Sequence, residues 1–268
     1  MATILITGAA GSVGGMLRPR LARPGRTLRL ADLAAVAPTG AGEESVAADV
    51  TDPAAVAAAC AGADAVVHLA GIATEGRWDD ILRINIDGTR NVLEAARTAG
   101  VRRVILASSN HAVGFHTRAA DPLPPDLHPR PDTYYGVAKA AMEALGSLYV
   151  DRFGMDVVAL RIGSCFPEPF DVRSLATWLS PDDCGRLVEA ALTAPAGFGY
   201  REVWGVSANT RRWWSVDPDR DLGYAPRDDA EEWAARLLPP GAEPDTTADP
   251  VLYRVGGAFC TLPLGEPA

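Results

Sequence analysis

Gly8-Ala9-Ala10-Gly11-Ser12-Val13-Gly14 lies between an apolar run at residues 3–7 and a helix-period stretch at 12–22, and it limits the fold more than any other segment. Glycines there permit a tight strand-to-helix turn and let the backbone approach a pyrophosphate, which the first helical amides attract. The trio gains meaning from Asp32, an acid at the end of the next strand, 18 residues beyond Gly14 (32 − 14 = 18). That is the setting a dinucleotide site requires. Asp32 suits the adenosine ribose hydroxyls. Leu33 follows it with no adjacent arginine for a 2′-phosphate, so NAD is expected and not NADP. Asp49, at the end of the third strand, is placed for the adenine amino group. After the fourth, Leu69-Ala70-Gly71 is small enough for ribose and nicotinamide to lie against the backbone.

Apolar runs alternate with helix-period stretches up to Cys165. Strands are expected at 3–7, 27–31, 45–48, 64–69, 101–107 and 156–162. Helices are expected at 12–22, 53–60 and 78–99, with a further one carrying Tyr135 and Lys139. Such alternation predicts an α/β fold: a Rossmann-type doubly wound parallel sheet with right-handed crossovers. The 268 residues read as one domain, with 1–165 the dinucleotide-binding core and 166–268 a small substrate-binding region and C-terminal arm. Prolines loosen the second part, where helices are expected at 182–192 and 228–238 and a strand at 202–206. From residue 239 the chain is rich in Pro and Gly, which suits either an ordered arm or a partly mobile tail.

The net charge of −9 argues against a nucleic-acid partner, which needs a basic stripe. An anionic substrate would be repelled on average, so it needs a dedicated cation. No apolar run approaches the roughly 20 residues of a membrane span. The chain enters a strand pattern at once, without the lead of a secretory signal. Cys60, Cys165, Cys184 and Cys260 are scattered, without metal spacing, and read as reduced thiols of a cytoplasmic protein.

Lys139 is the only lysine among 25 cationic side chains, and it follows Tyr135 by four residues. On a helix the two share a face. A compact ammonium beside a phenol favours the phenolate, so the Tyr135 pKa is expected below its reference of about 10. Ser108-Ser109-Asn110-His111 closes the fifth strand, at the sheet edge where ligands bind. His68 reads as a satisfied core histidine, and His116 and His128 as structural or solvated. Trp178, Trp204, Trp213 and Trp214 read as core or subunit-interface anchors.

Together the glycine turn, the serine after the fifth strand and Tyr135-x-x-x-Lys139 resemble the short-chain dehydrogenase/reductase superfamily over essentially the whole chain. The glycine spacing and Leu222-Gly223-Tyr224-Ala225-Pro226 resemble its extended branch. The resemblance implies that Tyr135 accepts the proton, that Lys139 tunes it and holds the nicotinamide ribose, and that Ser109 orients the reacting oxygen. It also implies that Asn85 supports the lysine. More narrowly, the chain is similar to uronate dehydrogenases, which oxidise C1 of galacturonate or glucuronate to the aldarolactone. The matching segments are Ala107-Ser108-Ser109-Asn110-His111, Arg161-Ile162-Gly163-Ser164-Cys165, Ser174-Leu175-Ala176-Thr177-Trp178 and Val203-Trp204-Gly205-Val206-Ser207-Ala208-Asn209. That similarity implies that Arg173 binds the C6 carboxylate and that Ser109, Asn110, His111 and Ser164 bind sugar hydroxyls. Val50, Ile162 and Cys165 join the cofactor contacts, Cys165 through its backbone at the carboxamide. The chain departs from the pattern at Ala73, where the family carries a serine; Thr74 follows it. A homo-oligomer is expected by the same analogy. Two other readings stand beside this one: a nucleotide-sugar epimerase or dehydratase of the extended branch, and a non-catalytic NAD-binding sensor.

Overall fold

Ile4 and Ile6 pack on one side of the first strand and Leu5 on the other, all three buried, so the strand is covered on both faces. The structure is a computed structural model and describes residues 2–239 and 241–267. The core elements run β1 (Ala2–Thr7), α1 (Ser12–Leu21), β2 (Arg26–Asp32), β3 (Glu43–Ala47), α2 (Pro53–Cys60), β4 (Ala65–His68), α3 (Trp78–Asp80), α4 (Gly88–Thr98) and β5 (Arg103–Leu106). They continue as α5 (Tyr134–Phe153), β6 (Asp156–Ile162), β7 (Ser164–Cys165), α6 (Ser174–Thr177), β8 (Trp178–Leu179), α7 (Pro181–Thr193), β9 (Tyr200–Gly205), α8 (Ala234–Leu237) and α9 (Pro250–Tyr253).

Seven strands form one parallel sheet in the order β3-β2-β1-β4-β5-β6-β9. This is the doubly wound Rossmann arrangement expected. Leu17 and Leu21 of α1 pack with Leu187 and Val188 of α7 on one face. Helices α2, α4 and α5 cover the other through Val56, Leu93 and Met142. The order reverses where β1 pairs β2 on one side and β4 on the other, and a crevice opens there at the strand ends. Gly8 makes that crevice possible. Its φ is +71°, and a Cβ would fall 2.6 Å from the Ala70 amide nitrogen.

Residues 78–99 depart from the single helix expected. Between α3 and α4, Ile81–Asp87 is π-helical. Within this widened turn the buried Asn85 reaches the Ile72 peptide, accepting from its N–H at 2.8 Å and donating to its carbonyl at 2.9 Å. At 228–238 the expected helix is a 3-10 turn, Ala230–Trp233, followed by the single turn of α8. The two-residue pair β7–β8 and helix α6 were not expected at all. The arm after residue 239 is ordered where it is described. Val255 N–H donates to His116 O at 2.8 Å and Gly256 N–H to Gly114 O at 2.9 Å, which brings the 3-10 turn Gly257–Thr261 over the end of β5. The four tryptophans are core residues, with Trp204 and Trp214 stacked at 4.4 Å.

Candidate active site

The crevice at the β1/β4 switch is a cavity of about 610 Å³. Gly8, Gly11, Ser12, Val13 and Gly14 form its floor; Asp32, Leu33, Asp49 and Val50 line one end, and Leu69, Ala70 and Gly71 the other. Helix α1 begins there with no side-chain cap and no acid in its first turn, so its free amides face the cavity. That donor set suits a pyrophosphate. Asp32 is held in place, accepting from Ala10 N at 2.9 Å and Leu33 N at 2.8 Å. Asp49 accepts from the Thr51 amide and hydroxyl, both at 2.8 Å, and these bonds keep its pKa low. Arg83, absent from the sequence reading, also lines this end. Ala73 lies on the lining as well.

Tyr135 stands in the first turn of α5, which Thr133 caps by accepting from Gly136 N at 2.9 Å. The Tyr135 amide donates to Glu75 Oε2 at 3.0 Å. Its phenol is buried close to Ser109, whose hydroxyl donates to Asn110 Oδ1 at 3.3 Å and accepts from His111 N at 3.2 Å. The expected lowering of the tyrosine pKa does not appear. Burial pushes it up to about 12, with Ser109 pulling down and the Asp132 charge adding to the rise. Lys139 is nearby but turned aside. Its Nζ lies 5.3 Å from the phenol ring centroid and donates to Ala107 O at 2.5 Å. Burial lowers the Lys139 pKa to about 8 against the opposing charge of Glu143. The expectation failed because spacing reveals a neighbouring charge but not the desolvation that outweighs it.

Asn85 spends its amide on Ile72 and makes no hydrogen bond to Lys139. Ser108 is tied elsewhere, donating to Glu143 Oε1 at 2.6 Å beside the buried Arg161–Glu143 pair. Ile162 bridges Ser109 across the sheet, and Cys165 packs into the core; neither lines the crevice.

The remaining candidates gather where the arm folds back. Asn110 donates to Val255 O at 2.7 Å. His111 stacks on Phe259 at 4.0 Å and meets the Tyr135 ring edge-on at 5.7 Å. Its Nδ1 pairs with the buried Asp132 at 2.7 Å. Burial lowers the His111 pKa, and Asp132 opposes. Ser164 and Thr177 share a hydroxyl bond at 3.0 Å, and Arg173 reaches the same Thr177 hydroxyl at 3.4 Å. Arg173 also donates to Val255 O at 2.5 Å, while its Nε is buried without a partner. An amide and an imidazole therefore stand beside Ser109 and Tyr135, and the Val255 carbonyl joins them to a cation and two hydroxyls.

Residues 4–216 match the NAD dependent epimerase/dehydratase family. The chain belongs to that family. Among curated members it is 43% identical over 258 residues to the uronate dehydrogenase of Pseudomonas putida, covering 96% of this chain and 94% of that one. A mutant uronate dehydrogenase from Agrobacterium tumefaciens complexed with NAD is 42% identical and superposes with a TM-score of 0.90, covering 100% of both chains. The glucuronic acid dehydrogenase of Chromohalobacter salexigens is 40% identical with a TM-score of 0.90, covering 100% of this chain and 99% of that one.

Four site residues of this epimerase/dehydratase family member escaped the sequence reading: Glu75, Arg83, Asp132 and Phe259. Glu75 is fully buried, and its second oxygen accepts from Gly265 N at 2.7 Å. Asp132 reads in sequence as part of a helix start, Pro131-Asp132-Thr133, and that position hides its bond to His111. Phe259 lies in the Pro- and Gly-rich arm, where no periodicity marks it. The core histidine was read correctly: His68 is fully buried between Thr7 Oγ1 at 2.7 Å and Thr89 Oγ1 at 3.1 Å. Among the described residues no group of three or more His, Cys, Asp and Glu is arranged to hold a metal.

Proposed function

We propose that this protein oxidises C1 of a hexuronate, D-galacturonate or D-glucuronate, with NAD as oxidant and the aldarolactone as first product. Uronate dehydrogenases that match it over nearly full length support the reaction, and an NAD complex among them supports the cofactor. One observation carries the substrate assignment: Arg173, a buried guanidinium with an unpartnered Nε, shares the Val255 carbonyl with Asn110, the neighbour of Ser109, in a protein of charge −9. An arginine so placed offers a carboxylate both charge and orientation.

In this reading Gly8, Gly11, Ser12, Val13 and Gly14 hold the pyrophosphate, and Asp32 and Leu33 the adenosine ribose. Asp49 and Val50 flank the adenine, and Leu69, Ala70 and Gly71 the nicotinamide ribose. Asn85 acts indirectly by fixing Ile72, and Ile162 and Cys165, which lie outside the crevice lining, are assigned to the cofactor on the resemblance alone. Bound NAD supplies the hydride acceptor and a positive charge beside the phenol. Tyr135, as the phenolate, takes the proton of the C1 hydroxyl, Ser109 donates to the same oxygen, and Lys139 holds the ribose with its ammonium. Arg173 pairs with the C6 carboxylate, while Asn110, His111 and Ser164 hold ring hydroxyls. With the ring oxygen retained, the first product is the lactone and water takes no part.

Residues 1–165 and 166–268 serve as cofactor and substrate parts of one domain, although β9 of the second part completes the sheet of the first. All four thiols are free, which fits a reducing cytoplasm. No described helix is long and apolar enough to cross a membrane. Leu148 and Phe153, half exposed on α5, suit pairing with a second copy, so the working form is a homo-oligomer. The test is NADH formation with galacturonate and glucuronate against galactose and glucose. Turnover confined to the uronates supports the assignment; equal turnover of the neutral sugars, or none with either uronate, ends it.

A further inference from the structure

Arg173 also walls a second cavity, of about 240 Å³, shared with Arg118, Arg211, Trp213 and the arm residues Glu243 and Leu252. Its charges do not balance. Arg211 is matched by Glu231 at 2.7 Å and Glu243 at 2.8 Å. Arg118 and Arg173 have no carboxylate within ion-pair distance among the described residues. Arg118 Nε donates to Leu252 O at 3.1 Å, and its guanidinium lies 4.8 Å from the Trp213 ring centroid. Arg173 rests on Val255 O and Thr177, with Nε unpartnered. Burial pushes both guanidinium pKa values down, and at Arg173 it outweighs the opposing charges of Asp171 and Asp132, neither of which is within ion-pair distance. Backbone carbonyls and an aromatic face hold the two arginines at one cavity, and an anion there would meet a prepared pair of charged donors.

On the reading that Arg173 holds the carboxylate of the sugar being oxidised, we propose that this cavity is a second carboxylate subsite, in which Arg118 receives the acidic group of a further uronate. The linkage that fits is through O4. The C4 hydroxyl neighbours C5, which bears the carboxylate on Arg173, so a residue joined there leaves the ring towards the same arginine. Trp213 and Leu252 give the wall an apolar side for a sugar ring. The substrate class is a 4-linked di-uronide with a free reducing end. Its oxidation needs no new reactant: the C1–H bond breaks with its electron pair passing to NAD, the hydroxyl proton leaves, and C1 becomes the lactone carbonyl. A second molecule of free uronate would present the same chemistry.

Calorimetric titration with NADH present reads binding without turnover, using galacturonate and 4-linked digalacturonate on the wild type, Arg118→Gln and Arg118→Lys. Arg118→Gln is expected to weaken digalacturonate about tenfold, the scale of one hydrogen bond to a charged group. Arg118→Lys recovers part of that by restoring the charge. A loss confined to digalacturonate assigns the cavity to the linked residue; loss of a second galacturonate binding event assigns it to a free uronate. Equal affinities of wild type and Arg118→Gln for both sugars overturn the subsite. Wild-type binding gives a readout free of any folding defect: rising salt weakens digalacturonate more steeply than galacturonate, and equal slopes overturn the proposal. NADH formation from galacturonate tests the underlying reading separately, because its absence alongside Arg118-dependent binding rejects the oxidation and retains the subsite.

Discussion

Asp132 Oδ2 and His111 Nδ1 meet at 2.7 Å in a carboxylate–imidazole pair enclosed by the folded-back arm. The other Asp132 oxygen accepts from the Thr133 hydroxyl at 2.9 Å. A Cβ at either Gly114 or Gly256 would collide with this carboxylate, so two glycines, one from the arm, clear space for it. A carboxylate only accepts, so Nδ1 carries the proton and Nε2 is left as an acceptor. Asp132 thus ties an imidazole orientation to the closure of the arm.

Asp132→Asn is therefore expected to raise the KM for galacturonate about tenfold, the scale of one charge-assisted hydrogen bond. It also removes a negative charge that raises the Tyr135 pKa. The phenolate then forms more readily, and the acid limb of the kcat profile moves to lower pH. Steady-state kinetics across pH check both effects. An unmoved limb with an unmoved KM would assign Asp132 to folding alone.

Glu75 joins the start of α5 to the arm, accepting from Tyr135 N and, across 190 residues of chain, from Gly265 N. Glu75→Gln keeps the shape but offers one accepting oxygen in place of two, leaving one buried N–H unpaired. The expected loss is about 1–3 kcal/mol. It should appear in denaturant unfolding, together with faster hydrogen exchange at the Gly265 amide. Unchanged exchange there would contradict the tie.

Thr89 donates its hydroxyl to Asn85 O at 2.6 Å and must accept from His68 Nε2–H, so His68 Nδ1 accepts from Thr7. This ring is neutral, and burial pushes its pKa down to about 3 with the Lys139 charge adding to the effect. The unfolded chain binds a proton near pH 6.5 that the folded one refuses. Stability is therefore complete above about pH 6.5 and is lost as pH falls towards 3, at up to about 1.4 kcal/mol per pH unit from this group. Urea unfolding between pH 7 and 4 measures the slope. His68→Gln should flatten it, and an equally steep slope in that variant would show another group to be responsible.

Arg173→Lys keeps the charge and loses the planar fork. It should raise the KM for galacturonate at least about tenfold, because paired hydrogen bonds to a carboxylate depend on guanidinium geometry. NAD affinity, read by titration, should hold. A fall in NAD affinity with an unaltered uronate KM would place this arginine on the cofactor.

The legible parts of the molecule are those whose cause is local. Gly8 to Gly14, Asp32 and the Tyr135–Lys139 pair lie within short segments, and strand β6 and helix α2 have the limits read from pattern alone. The partners of Glu75, Asn110 and Arg173 were hidden because each meets the arm across 82 to 190 residues, mostly through backbone atoms that carry no sequence signal. The π-turn at Ile81–Asp87 was hidden for a related reason: its residues suit an ordinary helix, and only the bond from Asn85 to Ile72 distinguishes it. Desolvation of Tyr135 could not be read from the spacing of Lys139, since it depends on Phe259, His111 and Ile81 closing around the phenol.

Galacturonate carrying deuterium at C1 tests the central claim most directly. Oxidation should place the deuterium on the nicotinamide of the reduced cofactor, with the lactone as the first sugar product seen by NMR. Unlabelled NADH, or aldarate formed without a preceding lactone, would contradict the account.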